Sequence, residues 1–131
     1  MKIIQGDNIM KTGEFIYART NAALLNELLG TNYTSWRKSY YDTEDNRIWM
    51  IHLDNQPRSN WRNYESGDTI VEENLDRRDT SGVRTDVRPD AERIVFSNEN
   101  GFFVFKGIYK YDKERSRCDG VRYWLKVSDE F

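Results

Sequence analysis

Apolar and polar positions change rhythm several times along this chain, and each change marks an element. A short apolar start, Met1–Gln5, predicts a strand, and Gly6-Asp7-Asn8 signals a turn. Glu14–Arg19 predicts a second extended piece. The one helical period comes next: Leu24, Leu25, Leu28 and Leu29 fall on a single stripe, with Thr20 or Asn21 as cap and Gly30 as terminator. That stripe needs a sheet to cover. Thr31–Asn46 is polar and aromatic with no steady period and reads as a loop with one helical turn. Arg47–Leu53 is apolar on both faces and predicts a buried strand, which Asp54-Asn55-Gln56-Pro57 turns. Thr69–Glu72 predicts a weaker strand after the Gly67-Asp68 turn.

Residues 75–92 are charged and mixed in sign, with Gly82 and Pro89 as breakers, and predict a long mobile loop that would serve as a flap over a ligand. The last third is β throughout. Arg93–Ser97 is a strand, the Asn98–Gly101 turn contains Asn-Gly, and Phe102–Tyr111 and Val121–Val127 are strands. Gly107 inside a ring-rich strand predicts a bulge or sharp bend. The sum is one α+β domain over residues 1–131: five or six mostly antiparallel strands in a curved, barrel-like sheet, with one main helix across an end.

Composition narrows the function. The chain is 37% hydrophobic, 32% charged and 14% aromatic, so rings must build much of the core. With 20 basic and 22 acidic residues the net charge is −2, which excludes a grip on nucleic acid by bulk phosphate neutralisation alone. Such a role needs a local basic patch or a pocket that reads an exposed base. The lone Cys118 excludes an internal disulfide and fits a reducing, cytoplasmic location. No apolar run is long enough to span a membrane, so no membrane partner is expected.

Gly101-Phe102-Phe103-Val104-Phe105-Lys106-Gly107-Ile108-Tyr109, with Tyr123 and Leu125 after it, resembles the closing strands of PUA-like domains (ASCH, EVE, YTH and SRA-like members). In that superfamily an aromatic strand with a central Gly precedes a strand that completes a pseudobarrel. The order of early strand, helix and run of strands is similar too. The resemblance implies binding of RNA, or of a modified or flipped base in DNA, in a concave aromatic site.

Two stretches are candidates for that site: Ser35-Trp36-Arg37-Lys38-Ser39-Tyr40-Tyr41 and Ser59-Asn60-Trp61-Arg62-Asn63-Tyr64. Rings beside guanidinium and amide groups stack on planar ligands and read their edges. Trp36, Trp61 and Tyr64 would stack. Arg37, Lys38 and Arg62 would meet phosphate, and Asn63 and Asp54 would read polar edges. The competing reading is that both Trp residues are packed core. The sole histidine, His52, shares a strand face with Asp54, an acid–base pair on paper and more often a structural one. Lys106 and Lys110, and Arg122 and Lys126, would form a basic stripe along the last hairpin, a phosphate path or plain solvent-facing polarity.

No Lys has an acidic residue or Gln two places before it, as metal-dependent nucleases often arrange, and no Gly-rich phosphate loop occurs. The sequence therefore favours a non-catalytic module, without metal or cofactor, that binds RNA or modified DNA. Two alternatives stand beside it: a protein-interaction module such as an immunity or inhibitor protein, and a small metal-independent ribonuclease using His52.

Overall fold

The computed structural model describes residues 10–76, 88–116 and 120–131. The expected strand at Met1–Gln5 with its turn, the centre of the expected flap (77–87) and Cys118 lie outside the described residues. Among the described residues one helix and eight strands occur in the order β1 (Phe15–Ala18), α1 (Asn21–Leu29), β2 (Tyr40–Asp42), β3 (Asn46–Ile51), β4 (Trp61–Ser66), β5 (Thr69–Asn74), β6 (Glu92–Asn98), β7 (Gly101–Tyr111) and β8 (Val121–Ser128). All eight strands share one curved sheet, ordered β2-β3-β6-β7-β8-β5-β4, with β1 paired to the N-terminal half of β7.

The helix forms where its caps place it. Thr20 is extended and its side chain accepts from Ala23 N at 3.1 Å, while Gly30 takes the left-handed conformation (φ 68°) and donates to Asn26 O. Leu24, Leu25 and Leu28 are fully buried against Ile48, Met50, Ile94, Phe96, Phe103 and Phe105 on one face of the sheet. The opposite face curls round a second core of Trp49, Ile51, Ile70, Val95, Tyr109, Tyr111 and Trp124. Strands β3 and β6 lie between the two cores and are apolar on both faces. They pair in parallel, the one departure from an antiparallel sheet.

Two strands were not visible in the sequence pattern. Tyr40–Asp42 falls inside the expected Thr31–Asn46 loop and pairs with β3, and Trp61–Ser66 pairs with β5 although it lacks apolar alternation. Residues just before and after the flap segment are pinned. The Arg88 guanidinium reaches Asp42 Oδ1 at 3.0 Å and the carbonyls of Thr43 and Asn46, and Arg47 pairs with the same carboxylate. Partial burial opposes ionisation of Asp42, but hydrogen bonds from Arg47 and Arg88 outweigh it and hold its carboxyl below the usual range.

Gly107 is the hinge between the cores. The β6–β7 register slips there: Val95 faces Gly107 while Phe96 faces Phe105. Before the slip Phe103 and Phe105 point to the helix; after it Tyr109 and Tyr111 point to the second core. Gly107 has φ 125°, and a Cβ there would stand 2.8 Å from Ser128 O. Gly107→Ala is expected to lower stability by about 1–3 kcal/mol, read as a reduced denaturant midpoint. An unchanged midpoint would show that the bend does not depend on glycine.

Candidate functional site

The sheet nearly closes on itself. After β3 the chain runs as a ribbon alongside β4: Asp54 bridges Tyr64, Asn55 N donates to Asn63 O at 3.0 Å, and Arg58 and Trp61 exchange backbone bonds of 2.7 and 2.9 Å. Ser59 and Asn60 between them both have positive φ (50° and 68°), which a two-residue hairpin turn of the right twist requires. The Ser-Asn that precedes Trp61 is thus turn chemistry.

At this seam lies a cavity of about 330 Å³, lined by β3 (Trp49–Ile51) and His52, by Trp61 and Asn63 of β4, by Glu72 of β5, by Gln56, Arg58 and Ser59 of the ribbon, and by Arg37 and Ser39. Its size sits at the lower end of small-ligand pockets, roughly 300–1,000 Å³. Trp61 and Asn63 reach it together because they are two apart on one strand. Asn63 stands directly opposite Glu72 across the β4–β5 ladder, so two acceptor side chains sit side by side.

Glu72 is buried, and its Oε1 accepts from Arg122 at 3.2 Å and from the Trp124 indole at 3.1 Å. Asn63 Oδ1 is buried and accepts no hydrogen bond. A buried polar atom without a partner is costly, so this acceptor is a signal for a donor-bearing ligand. Behind the wall, the Arg122 guanidinium lies 5.0 Å from the centre of the Trp61 ring. Arg93 lies between Trp124 (3.7 Å) and Trp49 (4.4 Å). Burial drives the Arg93 guanidinium down to about 9, against the opposing pull of Glu72, which leaves it a cation at neutral pH.

The SET and RING associated (SRA) domain profile matches residues 3–131. The chain belongs to the SRA family. SRA domains bind modified DNA bases, so nucleic-acid binding and modified-base recognition are the family's function. Among solved structures this SRA domain is similar to one described as the 5-hydroxymethylcytosine-specific restriction enzyme AbaSI, with a TM-score of 0.67 and 20% sequence identity. The match covers 94% of this chain and 42% of that one, so the chain spans less than half the length of that enzyme. At that identity the likeness speaks for the fold, a PUA-like pseudobarrel of the SRA kind. No curated protein matches the sequence.

The expected site residues divide. Trp61, Asn63 and Arg37 line the cavity. Lys38 is exposed next to Arg37, its ammonium 5.5 Å from the Tyr40 ring. Trp36 is elsewhere: it packs with Tyr33 and Tyr41 at 5.0 and 5.1 Å beside the helix-side core, and its indole donates to Tyr40 O at 2.9 Å. The two rings therefore do not share one hollow. Arg62 and Tyr64 alternate to the other face of β4, and Arg62 pairs with Glu73. Asp54 is held by Arg58 at 2.6 and 2.8 Å. Those bonds outweigh the opposing effect of its slight burial and keep its carboxyl below the usual range.

Both Asp54 oxygens are held by Arg58, and no hydrogen bond is formed between Asp54 and His52 among the described residues. Of the expected basic stripe, Lys110 is exposed and the other three cations are each paired with a carboxylate. Arg122 points inward to Glu72, Lys106 pairs with Glu65 at 3.0 Å and Lys126 with Asp129 at 3.3 Å. On β8 the inward face carries Arg122 and Trp124, while Leu125 and Val127 are 44% and 48% exposed. Among the described residues no three His, Cys, Asp or Glu gather as a metal site, and no helix is long and apolar enough to cross a membrane.

Sequence reasoning missed Glu72, Trp49 and Arg58 as cavity walls. For Glu72 a signal existed. The Gly67-Asp68 turn fixes a two-residue hairpin between Ser66 and Thr69, and counting back from it places Asn63 opposite Glu72.

Proposed function

We propose that this chain binds DNA carrying a modified cytosine and holds that base, turned out of the helix, in the seam cavity. The observation that carries the reading is the pair of acceptors, Asn63 Oδ1 and the Glu72 carboxylate, side by side in a pocket walled by Trp61. Two neighbouring acceptors ask for a ligand with neighbouring donors. Cytosine presents an exocyclic N4 amine where thymine presents a carbonyl. A hydroxymethyl group on the adjacent ring carbon adds a second donor beside the first; a methyl group adds none. In this reading Asn63 accepts from the N4 amine, Glu72 accepts from the hydroxyl, and Trp61 stacks on the ring.

Turning a base out costs a few kcal/mol of pairing and stacking, so the pocket must return at least that much. Ring stacking, at roughly 1–3 kcal/mol, and the newly satisfied Asn63 acceptor are the terms that return it. Arg37 and Lys38 beside the opening take flanking phosphates.

Fluorescence anisotropy with otherwise identical duplexes tests the reading. A duplex with one central 5-hydroxymethylcytosine is expected to bind at least tenfold more tightly than one with cytosine, with 5-methylcytosine between them, and an RNA of the same sequence is expected to bind weakly. Equal affinity for all three duplexes would reject it.

A further inference from the structure

The cavity reading leaves one conspicuous surface without a role. Phe15 and Tyr17 on β1 are 51% and 79% exposed. They form an edge-to-face cluster with Phe102, with ring centres 5.0 and 5.7 Å apart. Two exposed rings packed on a third, half-buried one form an apolar patch of the kind that marks an interaction surface.

The register locates this cluster relative to the cavity. Ile51, a cavity residue, pairs with Ser97, Ser97 with Val104, and Val104 with Phe15. Residues directly opposite one another point to the same sheet face. Phe15 and Tyr17 therefore lie on the cavity side of the sheet, three strand spacings or about 14 Å from Ile51. Ile16, between them, packs on the helix-side core, which fixes the parity.

A second connection is made by cations. Arg19 follows Tyr17 by two residues, and Asn21 Nδ2 bonds Lys38 O at 3.1 Å, which ties the start of α1 to the segment bearing Arg37 and Lys38. Arg37 lines the cavity. Arg19, Arg37 and Lys38 are all exposed, and among the described residues none forms an ion pair. Lys106, Lys126 and Arg62, by contrast, are each neutralised by a carboxylate. Unpaired cations continuing into exposed rings are what a nucleic-acid strand lies along.

We propose that this strip, from Arg37 and Lys38 through Arg19 to Tyr17 and Phe15, is the track for the DNA flank on one side of the turned-out base. The proposal rests on the base-in-cavity reading and adds a polarity to it. Cations hold the phosphates next to the base, and the β1 rings touch the duplex about four base pairs away, given about 3.4 Å per step.

The test compares duplexes with a central 5-hydroxymethylcytosine, trimmed on one flank or the other to about three base pairs. Wild-type protein is expected to lose about tenfold in affinity when one flank is trimmed and less than twofold when the other is. In Tyr17→Ala/Arg19→Ala the long duplex is expected to bind as weakly as the trimmed one, the asymmetry to vanish, and the salt slope to fall by about one. Arg19→Gln alone, expected to lose the same unit of slope, serves if the double variant does not fold. Variants that keep the wild-type asymmetry and slope overturn the track. So does a free double variant whose sedimentation differs from wild type while DNA binding is unchanged, since that assigns the rings to self-association. The two readings fail separately. Preference for the modified base with unaltered variants leaves the cavity and removes the track; flank asymmetry without base preference removes the cavity reading and leaves only a strip that grips one DNA flank, with no turned-out base to orient it.

Discussion

Trp61→Ala is expected to cut affinity for a modified duplex by about 5- to 150-fold, the equivalent of roughly 1–3 kcal/mol of base stacking, while costing only about 1 kcal/mol of stability. Trp36→Ala is expected to do the opposite: lower stability by about 2–3 kcal/mol and leave the affinity of the folded fraction unchanged. The contrast follows from where each indole spends its contacts. Trp36 packs on Tyr33 and Tyr41 beside the helix-side core and donates its N–H to a backbone carbonyl, so truncation leaves a hole and an unpaired acceptor. Trp61 stands at the cavity wall with Arg122 near its ring, and its removal leaves the Glu72–Arg122 pair in place. Titration of each variant with the same 5-hydroxymethylcytosine duplex, together with chemical denaturation, checks both. If Trp61→Ala unfolds the domain and Trp36→Ala weakens binding, the two rings have been assigned the wrong way round.

Those two tryptophans show what local sequence conveys and what it does not. Both sit in Trp-Arg words among Ser, Asn and Tyr, and nothing within five residues separates them. Their fates differ because one segment lies under the helix and the other is a strand of the seam. Elements whose signal is local were legible: α1 from Thr20, Gly30 and its leucines, the bend at Gly107, and the closing strands β6, β7 and β8 from their rings and the Asn-Gly turn. The short edge strand at Tyr40–Asp42 was not, and neither was Trp61–Ser66, whose polar residues read as loop. A strand that turns one face to a polar cavity and the other to ion pairs carries no apolar alternation. The parallel β3–β6 pairing joins residues more than forty apart in sequence and leaves no local mark. On β8 the expected polarity inverted, because Glu72 draws Arg122 inward and Leu125 and Val127 are displaced outward.

Asn63→Ala is expected to raise the stability of the free domain while lowering affinity for the modified duplex. In the unbound protein Asn63 Oδ1 is buried without a donor, a condition that costs roughly 1–3 kcal/mol. Deleting the amide removes that penalty and leaves only a small gap in a cavity that is already open. The net gain is about 1 kcal/mol, a rise of a few degrees in Tm. In the complex the balance reverses, since the N4 amine of the bound base would then be enclosed without an acceptor. That loss is again roughly 1–3 kcal/mol, about 5- to 150-fold in Kd. Discrimination between cytosine and thymine at the modified position should shrink by the same factor, because the acceptor is what repels a thymine carbonyl. Opposite movements of Tm and affinity distinguish a recognition group from a structural one, since an asparagine that holds the β4–β5 ladder together would lose both at once. Melting curves and duplex titrations of this one variant therefore decide whether Asn63 is strained in the empty protein for the sake of its ligand; a lowered Tm with intact binding would show that it is not.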